Sequence, residues 1–274
     1  MAIYTVFGNP IAHSLSPQIH QAFAQQSGVE LNYTRSLTSQ ARFRRAVAEF
    51  FRHGGAGANV TVPFKQQAFE LVTYVTARAQ QAGAVNTLVP LGYGQLLGDN
   101  TDGIGLVRDL QRNLGQTLAH RDVVILGAGG AARGIIAPLL EQEPSSLIIA
   151  NRTEEKAQIL VEQFANSKLQ ACRFYELAIP TGAIVINATS ASLAGEKLPV
   201  APTELAHATC AYDMVYGAQP TVFMQQAQQA GVSVMNDGLG MLVEQAGAAF
   251  QMWHEGAELD TQKVIQEIRE RLVG

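Results

Sequence analysis

The chain has 274 residues, 47% of them hydrophobic and 15% charged, with a formal net charge of −4. That length and composition describe a compact enzyme-like body of two domains or one large one rather than a disordered or coiled-coil chain. The negative balance gives nucleic acid no electrostatic footing as a partner.

IYTVFG (3–8) predicts a buried strand. Ser16-Pro17 reads as an N-cap with proline at the first helical position, and that helix runs to Gly28. A second helix is expected from Ser39 to His53, with Phe43, Val47, Phe50 and Phe51 on its apolar side and Gly54-Gly55 ending it. GANVTV (57–62) has strand character, and Pro63 is expected to open another helix. AVNTLVP and GQLLG around the turn LGYG predict a hairpin or paired strands.

From residue 103 the pattern becomes regular. Ile104, Val107, Leu110 and Leu114 have helical spacing. Apolar runs follow at 122–126, 145–150, 183–187, 209–213 and 232–235, with a weaker one near 171–174. Helical stretches at 130–142, 153–166 and 220–230 separate several of them, which predicts a doubly wound parallel sheet. The chain from GLGMLVEQA through the Lys263–Leu272 stretch reads as helical and follows a completed sheet, so it is expected to pack back on the N-terminal domain. The expected fold class is α/β with two domains: a substrate domain from residues 1–101 plus 238–274, and a Rossmann-type domain over 102–237.

DVVILGAGGAARG (122–134) carries Gly127, Gly129 and Ala132 in the G-x-G-x-x-G/A spacing of a strand that turns straight into a helix. Glycine there lets a pyrophosphate approach the backbone at a helix N-terminus. An enzyme that takes NAD commonly places an acid about 20 residues further on, to hold the ribose 2′-hydroxyl. This chain has Asn151-Arg152-Thr153 there, with Lys156 one turn on. The Arg152 guanidinium offers a planar fork to a 2′-phosphate, which favours NADP. Thr153 also suits a helix cap, with Glu154 and Glu155 in the first turn.

Reducing a carbonyl requires a proton for the developing alkoxide. Lys65, in NVTVPFK, sits just inside the helix that Pro63 is expected to begin, and Asn59 and Thr61 alternate on one strand face toward the same region. Asp102, in GDNTDGIG, has the position of a helix N-cap, in a loop that also carries Asn100 and Thr101. Ser14 and Ser16, in AHSLSP, precede a helix N-terminus and suit a carboxylate. Asn86 is a polar break in the apolar run of GAVNTL. His13 and His20 lack metal spacing and read as structural or as supports behind the residues that contact ligand, and no metal is expected. Cys172 and Cys210 suggest neither a disulfide framework nor a zinc site. MAIYTVFGNP lacks signal-peptide character and no run of about 18 apolar residues occurs, so a cytoplasmic protein without a membrane partner is expected.

Together the segments GNPIAHSLSPQIH (8–20), NVTVPFK (59–65), GAVNTL (83–88), GDNTDGIG (98–105), GAGGAA (127–132), NRT (151–153), NATS (187–190), DMVY (213–216) and DGLGMLVEQA (237–246) resemble the shikimate dehydrogenase family, in family order and across almost the whole chain. The resemblance implies two α/β domains and NADPH-dependent, reversible reduction of 3-dehydroshikimate to shikimate in aromatic amino-acid biosynthesis. It implies Lys65 and Asp102 as the catalytic pair, Ser14 and Ser16 on the substrate carboxylate, and Asn59, Thr61, Asn86, Tyr216 and Gln245 on the substrate hydroxyls or ring. On the cofactor side it implies Gly127, Ala128, Gly129, Gly130 and Ala131, then Asn151, Arg152, Thr153 and Lys156, with Thr189, Met214, Gly238 and Met241. One departure is Ala77, where some family members carry an acid; it touches neither the fold nor the catalytic pair. A small-molecule substrate is the implied partner, and both monomer and homodimer suit the size. Two other readings remain open: a quinate/shikimate dehydrogenase that uses NAD, against which Arg152 weighs, and a non-catalytic NADP-sensing module, which would have no need of both Lys65 and Asp102.

Overall fold

The computed structural model describes residues 1–273. The chain divides into two compact units, Met1–Gly105 with Leu242–Ile268, and Leu106–Met241 with the residues from Arg269 onward.

The first unit is laid down as β1 (Ala2–Gly8), α1 (Ser16–Ser27), β2 (Leu31–Leu37), α2 (Phe43–Arg52), β3 (Gly55–Val60), α3 (Lys65–Leu71), β4 (Tyr74–Val75), α4 (Ala77–Ala82), β5 (Thr87–Gly92) and β6 (Gln95–Asp99). Its mixed sheet has the order β2-β1-β3-β5-β6-β4. β1 runs parallel to β2 and β3, while β5 is antiparallel to both β3 and β6. The β5–β6 hairpin turns through Gly92, Tyr93 and Gly94, all at positive φ. On one side of the sheet Phe7, Val60 and Leu88 pack against Phe43 and Val47 of α2 and against Phe64 and Ala68. Phe43 and Phe64 stack with ring centroids 4.7 Å apart, a pairing worth about 0.5–1.5 kcal/mol beyond the area it buries.

Several local expectations shift. α2 starts at Phe43, not Ser39, because Phe43 is the first residue on that stretch with a core face to bury. β2 was not legible: in LNYTRSL only Leu31 and Tyr33 are buried, as befits a strand at the sheet edge. Ser16 does not cap α1; Leu15 holds the N-cap position without a side-chain cap, and Ser16 lies inside the first turn. The helix expected at Pro63 begins at Lys65.

α5 (Asp102–Arg108) leads into a π-helical turn at Asp109–Asn113. The second unit then follows as β7 (Asp122–Leu126), α6 (Gly130–Leu140), β8 (Ser146–Asn151), α7 (Glu154–Phe164), β9 (Leu169–Arg173), β10 (Ile184–Asn187), α8 (Pro202–Leu205), β11 (Cys210–Asp213), α9 (Val222–Gln229) and β12 (Val234–Asn236). All its strands are parallel, in the order β12-β11-β10-β7-β8-β9. Val123, Ile125, Ile184 and Ile186 face one core, and Val124, Leu126 and Val185 face the other. Burial on both faces is why these strands read as continuous apolar runs. The strand order reverses between β7 and β10, and in such sheets ligands bind outside the carboxyl ends of the strands at that point.

α10 (Leu239–Trp253) and α11 (Thr261–Val273) complete the chain. The C-terminal helical stretch is broken between them, where Gly256 takes a φ of 80°. No helix among the described residues is long and apolar enough to cross a membrane.

Candidate active site

Beyond the end of β3, the chain folds back through Thr61 and a cis Val62–Pro63 bond into α3, whose first residue is Lys65. Phe64, fully buried one residue earlier, pins the start of this helix, so the lysine leaves from an anchored backbone. Lys65 Nζ donates to Asp102 Oδ2 over 2.5 Å, with the two side chains 28% and 16% exposed. The pair is thus shielded yet open to solvent on one side.

Asp102 is the first residue of α5 and does not spend its carboxylate on a helix cap. Oδ2 takes Lys65, and Oδ1 accepts from Asn86 Nδ2 at 2.8 Å. Asn86, 2% exposed, is a crossing point: Nδ2 also lies 3.0 Å from Thr101 Oγ1 and 3.0 Å from Gln245 Oε1, while Oδ1 accepts the Thr101 N–H and the Thr87 hydroxyl. Lys65, Asn86, Thr101, Asp102 and Gln245, drawn from distant parts of the sequence, therefore form one hydrogen-bonded cluster in the first unit.

Ser14 and Ser16 stand together, Oγ to Oγ at 3.1 Å, and the Ser14 hydroxyl also accepts the Ser16 N–H. Arg35, on β2, clasps the Ser14 carbonyl with Nε and Nη2 at 2.9 and 2.6 Å. Thr61 is half-buried at the end of β3, its N–H bonded to the Phe7 carbonyl. Asn59 differs from the expectation: its side chain points to other protein groups. Oδ1 accepts from the Tyr33 hydroxyl at 2.7 Å and from His20 Nε2 at 3.1 Å, and Nδ2 donates to the Asn86 carbonyl and Thr87 Oγ1. Its amide has two donors and two good acceptor directions, and all are engaged.

Three supporting residues escaped the sequence reading, Tyr33, Arg78 and Asp99, whereas His20, expected to be structural, is the buried partner of Asn59. Asp99 is wholly buried at the end of β6, paired bidentately by Arg78 and bonded by Thr76 Oγ1. Asp99 Oδ1 then accepts the Asn100 N–H at 2.8 Å, and Asn100 Oδ1 accepts the Asp102 N–H at 3.1 Å. This chain of bonds sets the loop that presents Asp102. The only hint in the sequence is the density of polar residues in GDNTDG, which names the loop but not its partner in α4.

In the second unit, Gly127 follows β7 with a φ of 106°, and a Cβ there would press to 2.8 Å from Thr189 Cγ2. Gly129 and Gly130 open α6 with no protein atom within 4 Å of where a Cβ would stand. The first N–H groups of a helix have no intrahelical acceptor. Open space over such a turn therefore fits an anionic pyrophosphate. At the end of β8, Asn151 Nδ2 donates to the Thr153 carbonyl at 2.7 Å. Thr153 occupies the N-cap of α7, but its side chain makes no capping bond. The side chains of Arg152 and Lys156 are exposed and make no hydrogen bond or ion pair among the described residues, which leaves both cations available to a phosphate.

Thr189 is tied by N–H and hydroxyl to Asn187 Oδ1, and Asn187 Nδ2 donates to the buried Asp213 at 3.0 Å. Ser192, Thr221 and the Val215 N–H also bond Asp213, whose carboxyl is nevertheless raised above the usual range because burial outweighs these donors. Asp213 thereby joins the loops that carry Thr189 and Met214. Tyr216 is half-buried, and burial with the nearby Asp237 charge raises its hydroxyl pKa. Gly238 packs against the Met214 carbonyl too closely for any Cβ, and the Met241 N–H bonds the Tyr212 hydroxyl at 3.3 Å.

Residues 6–88 match the family model for the shikimate dehydrogenase substrate binding domain, and residues 109–195 match that for shikimate/quinate 5-dehydrogenase. A shikimate dehydrogenase (NADP(+)) of Idiomarina loihiensis is 51% identical over 270 residues, 96% of each chain. One from Dechloromonas aromatica is 52% identical over 272 residues, covering 99% of this chain and 98% of the relative. Among solved structures, an Ael1 enzyme from Pseudomonas putida matches with a TM-score of 0.92 at 42% identity, over 97% of this chain and 98% of that one. Shikimate 5-dehydrogenase from Thermus thermophilus, in complex with NADP(H) and shikimate, matches with a TM-score of 0.84 at 30% identity, over 99% and 100% of the two chains.

Proposed function

The chain belongs to the shikimate dehydrogenase family, and on that premise we propose that Lys65 and Asp102 catalyse the reversible, NADPH-dependent reduction of 3-dehydroshikimate to shikimate. The observation that carries the assignment is the 2.5 Å Lys65–Asp102 pair, held on its other side by Asn86.

The substrate ketone gains a hydride at carbon and a proton at oxygen. NADPH supplies the hydride when bound. Lys65 Nζ holds the proton that the developing alkoxide takes, and its positive charge stabilises that oxygen beforehand. Asp102 Oδ2 holds Nζ in place, and in the oxidation direction the pair receives the proton back from the shikimate hydroxyl. Ser14 and Ser16 supply neutral donors for the carboxylate. Thr61, Asn86, Tyr216 and Gln245 serve the hydroxyls and ring. Asn59, buried and bonded to His20, Tyr33 and the Asn86 carbonyl, serves by fixing the backbone that carries Asn86.

For the cofactor, the 127–131 turn fits the pyrophosphate, and Arg152 with Lys156 fits a 2′-phosphate. Asn151 stands where an enzyme using NAD would carry an acid. Thr189, Met214, Gly238 and Met241 flank the nicotinamide end.

The test is a spectrophotometric comparison of shikimate with quinate and of NADP with NAD. Fast NADPH formation from shikimate is expected, with quinate and NAD both much slower. No shikimate-dependent reduction of NADP by the purified chain would overturn the proposal.

A further inference from the structure

Arg269 lies on α11, outside every segment that carried the family resemblance. It groups with the second unit, and its guanidinium reaches the loops beyond β11 and β12. Nη1 donates to Asp237 Oδ2 at 2.8 Å and to the Gly217 carbonyl at 2.9 Å, and Nη2 donates to Asp237 Oδ1. Asp237, 3% exposed, accepts two further bonds, from the Gly217 N–H at 3.4 Å and the Leu239 N–H at 3.2 Å. A closed ring results, in which Arg269 and Asp237 together hold both backbone groups of Gly217.

The two segments are also joined directly. Gly238 N–H donates to the Val215 carbonyl at 3.1 Å, and Gly238 lies against the Met214 carbonyl with no room for a side chain. Met214, Tyr216 and Gly238 all lie on backbone that this ring controls. A lysine at 269 would supply a point charge to Asp237 but no planar fork with a third bond to the Gly217 carbonyl.

We propose that Arg269 is a positioning residue, which holds the Met214–Gly217 and Asp237–Leu239 segments in the arrangement that receives the nicotinamide end of the cofactor and the substrate. The roles of those segments rest on the function proposed above; the ring itself does not.

The experiment compares Arg269→Lys, Arg269→Gln and the double variant Asp237→Asn/Arg269→Gln. Removing the arginine alone leaves a buried carboxylate without its cation, so Arg269→Gln is expected to lower Tm. The double variant removes both charges and is expected to regain most of that Tm. Three readouts are followed: NADPH affinity by fluorescence titration, hydrogen exchange at Val215–Gly217 and Gly238–Leu239, and steady-state turnover of shikimate.

The positioning role predicts faster exchange confined to those segments and NADPH binding weakened roughly ten-fold or more, the scale of a misplaced binding group. Both defects persist in the double variant despite its recovered Tm, and Arg269→Lys is intermediate. NADPH affinity that stays at the wild-type value, or that returns together with Tm in the double variant, would show that the pair only balances charge and would overturn the proposal. Titration and exchange require no turnover. A wild-type chain inactive on shikimate would therefore defeat the proposed reaction while leaving the ring to be judged by the variants.

Discussion

His20 donates its Nε2 proton to Asn59 Oδ1 across 3.1 Å, while its ring lies nearly parallel to Tyr33 with centroids 4.4 Å apart. Either protonation state can make this bond; the neutral form is favoured because Nδ1 is buried without a hydrogen-bond partner, so a proton there would have nothing to bond. Burial, reinforced by His254, lowers the His20 pKa to about 3, against the partly compensating bond to Asn59. Asn59 in turn bonds the Asn86 carbonyl, so a neutral histidine supports the backbone beside the Lys65–Asp102 cluster.

The sign of the resulting pH dependence follows from linkage. The unfolded chain takes up a proton on His20 below its ordinary pKa of about 6.5, whereas the folded chain does not until about 3. His20 therefore costs no stability above that range, and its contribution to stability falls by about 1.4 kcal/mol per pH unit on descending from 6.5 toward 3. Urea unfolding of wild type and His20→Gln, compared at a series of pH values, isolates this effect from other groups. The stability advantage of the wild type should shrink by that slope below pH 6.5 and stay constant above it. An advantage that does not vary with pH would show that His20 is not held neutral.

Lys65→Ala should lower kcat by roughly 10²- to 10⁴-fold with a smaller change in KM, because the proton donor and the charge at the oxygen are lost together. Asp102→Asn should also lower kcat, since a neutral amide holds Nζ in place less firmly than the carboxylate does. Steady-state kinetics with shikimate and NADP would check both. An effect of Lys65→Ala confined to KM would make Lys65 a binding residue only.

Arg152→Ala should weaken NADP roughly ten- to a hundred-fold, the scale of one charge-assisted contact, and leave NAD almost unchanged. The loss should appear in KM for NADP and not in kcat at saturation. Equal losses for the two cofactors would place Arg152 away from the 2′-phosphate.

Two glycine substitutions should separate space kept for a ligand from space filled by the protein. Gly129→Ala meets no protein atom within 4 Å, at a φ of −88°, so its Tm should stay near wild type while NADP affinity falls. Gly238→Ala drives its Cβ into the Met214 carbonyl, so Tm and cofactor affinity should fall together. Thermal melts with and without NADP would distinguish the pair.

Legibility followed the physical origin of each signal. The strands of the second unit were readable because both faces are buried, which makes each an apolar run. The GAGGAA turn was readable because only glycine relieves its backbone, as Gly127 shows at a φ of 106°. β2 was not, because an edge strand has few inward residues and no periodic run. Asn59 was visible as a polar residue in a strand, yet its spacing said nothing about the groups its amide would meet.

By itself the sequence carried the two-part α/β organisation, the glycine turn after β7 and the cation at 152, which rest on local periodicity, local backbone demands or short motifs, while the pairing of Lys65 with Asp102 was implied only by resemblance to the shikimate dehydrogenase family. Only the tertiary structure decided which polar groups are spent within the protein. Asn59 is consumed by His20 and Tyr33, Asp99 by Arg78, and Asp237 by Arg269. Each pair joins residues at least 20 positions apart, and a hydrogen bond depends on an atom lying within about 3.5 Å in the right direction. That is a condition on three-dimensional position, which residue type and spacing along the chain do not specify.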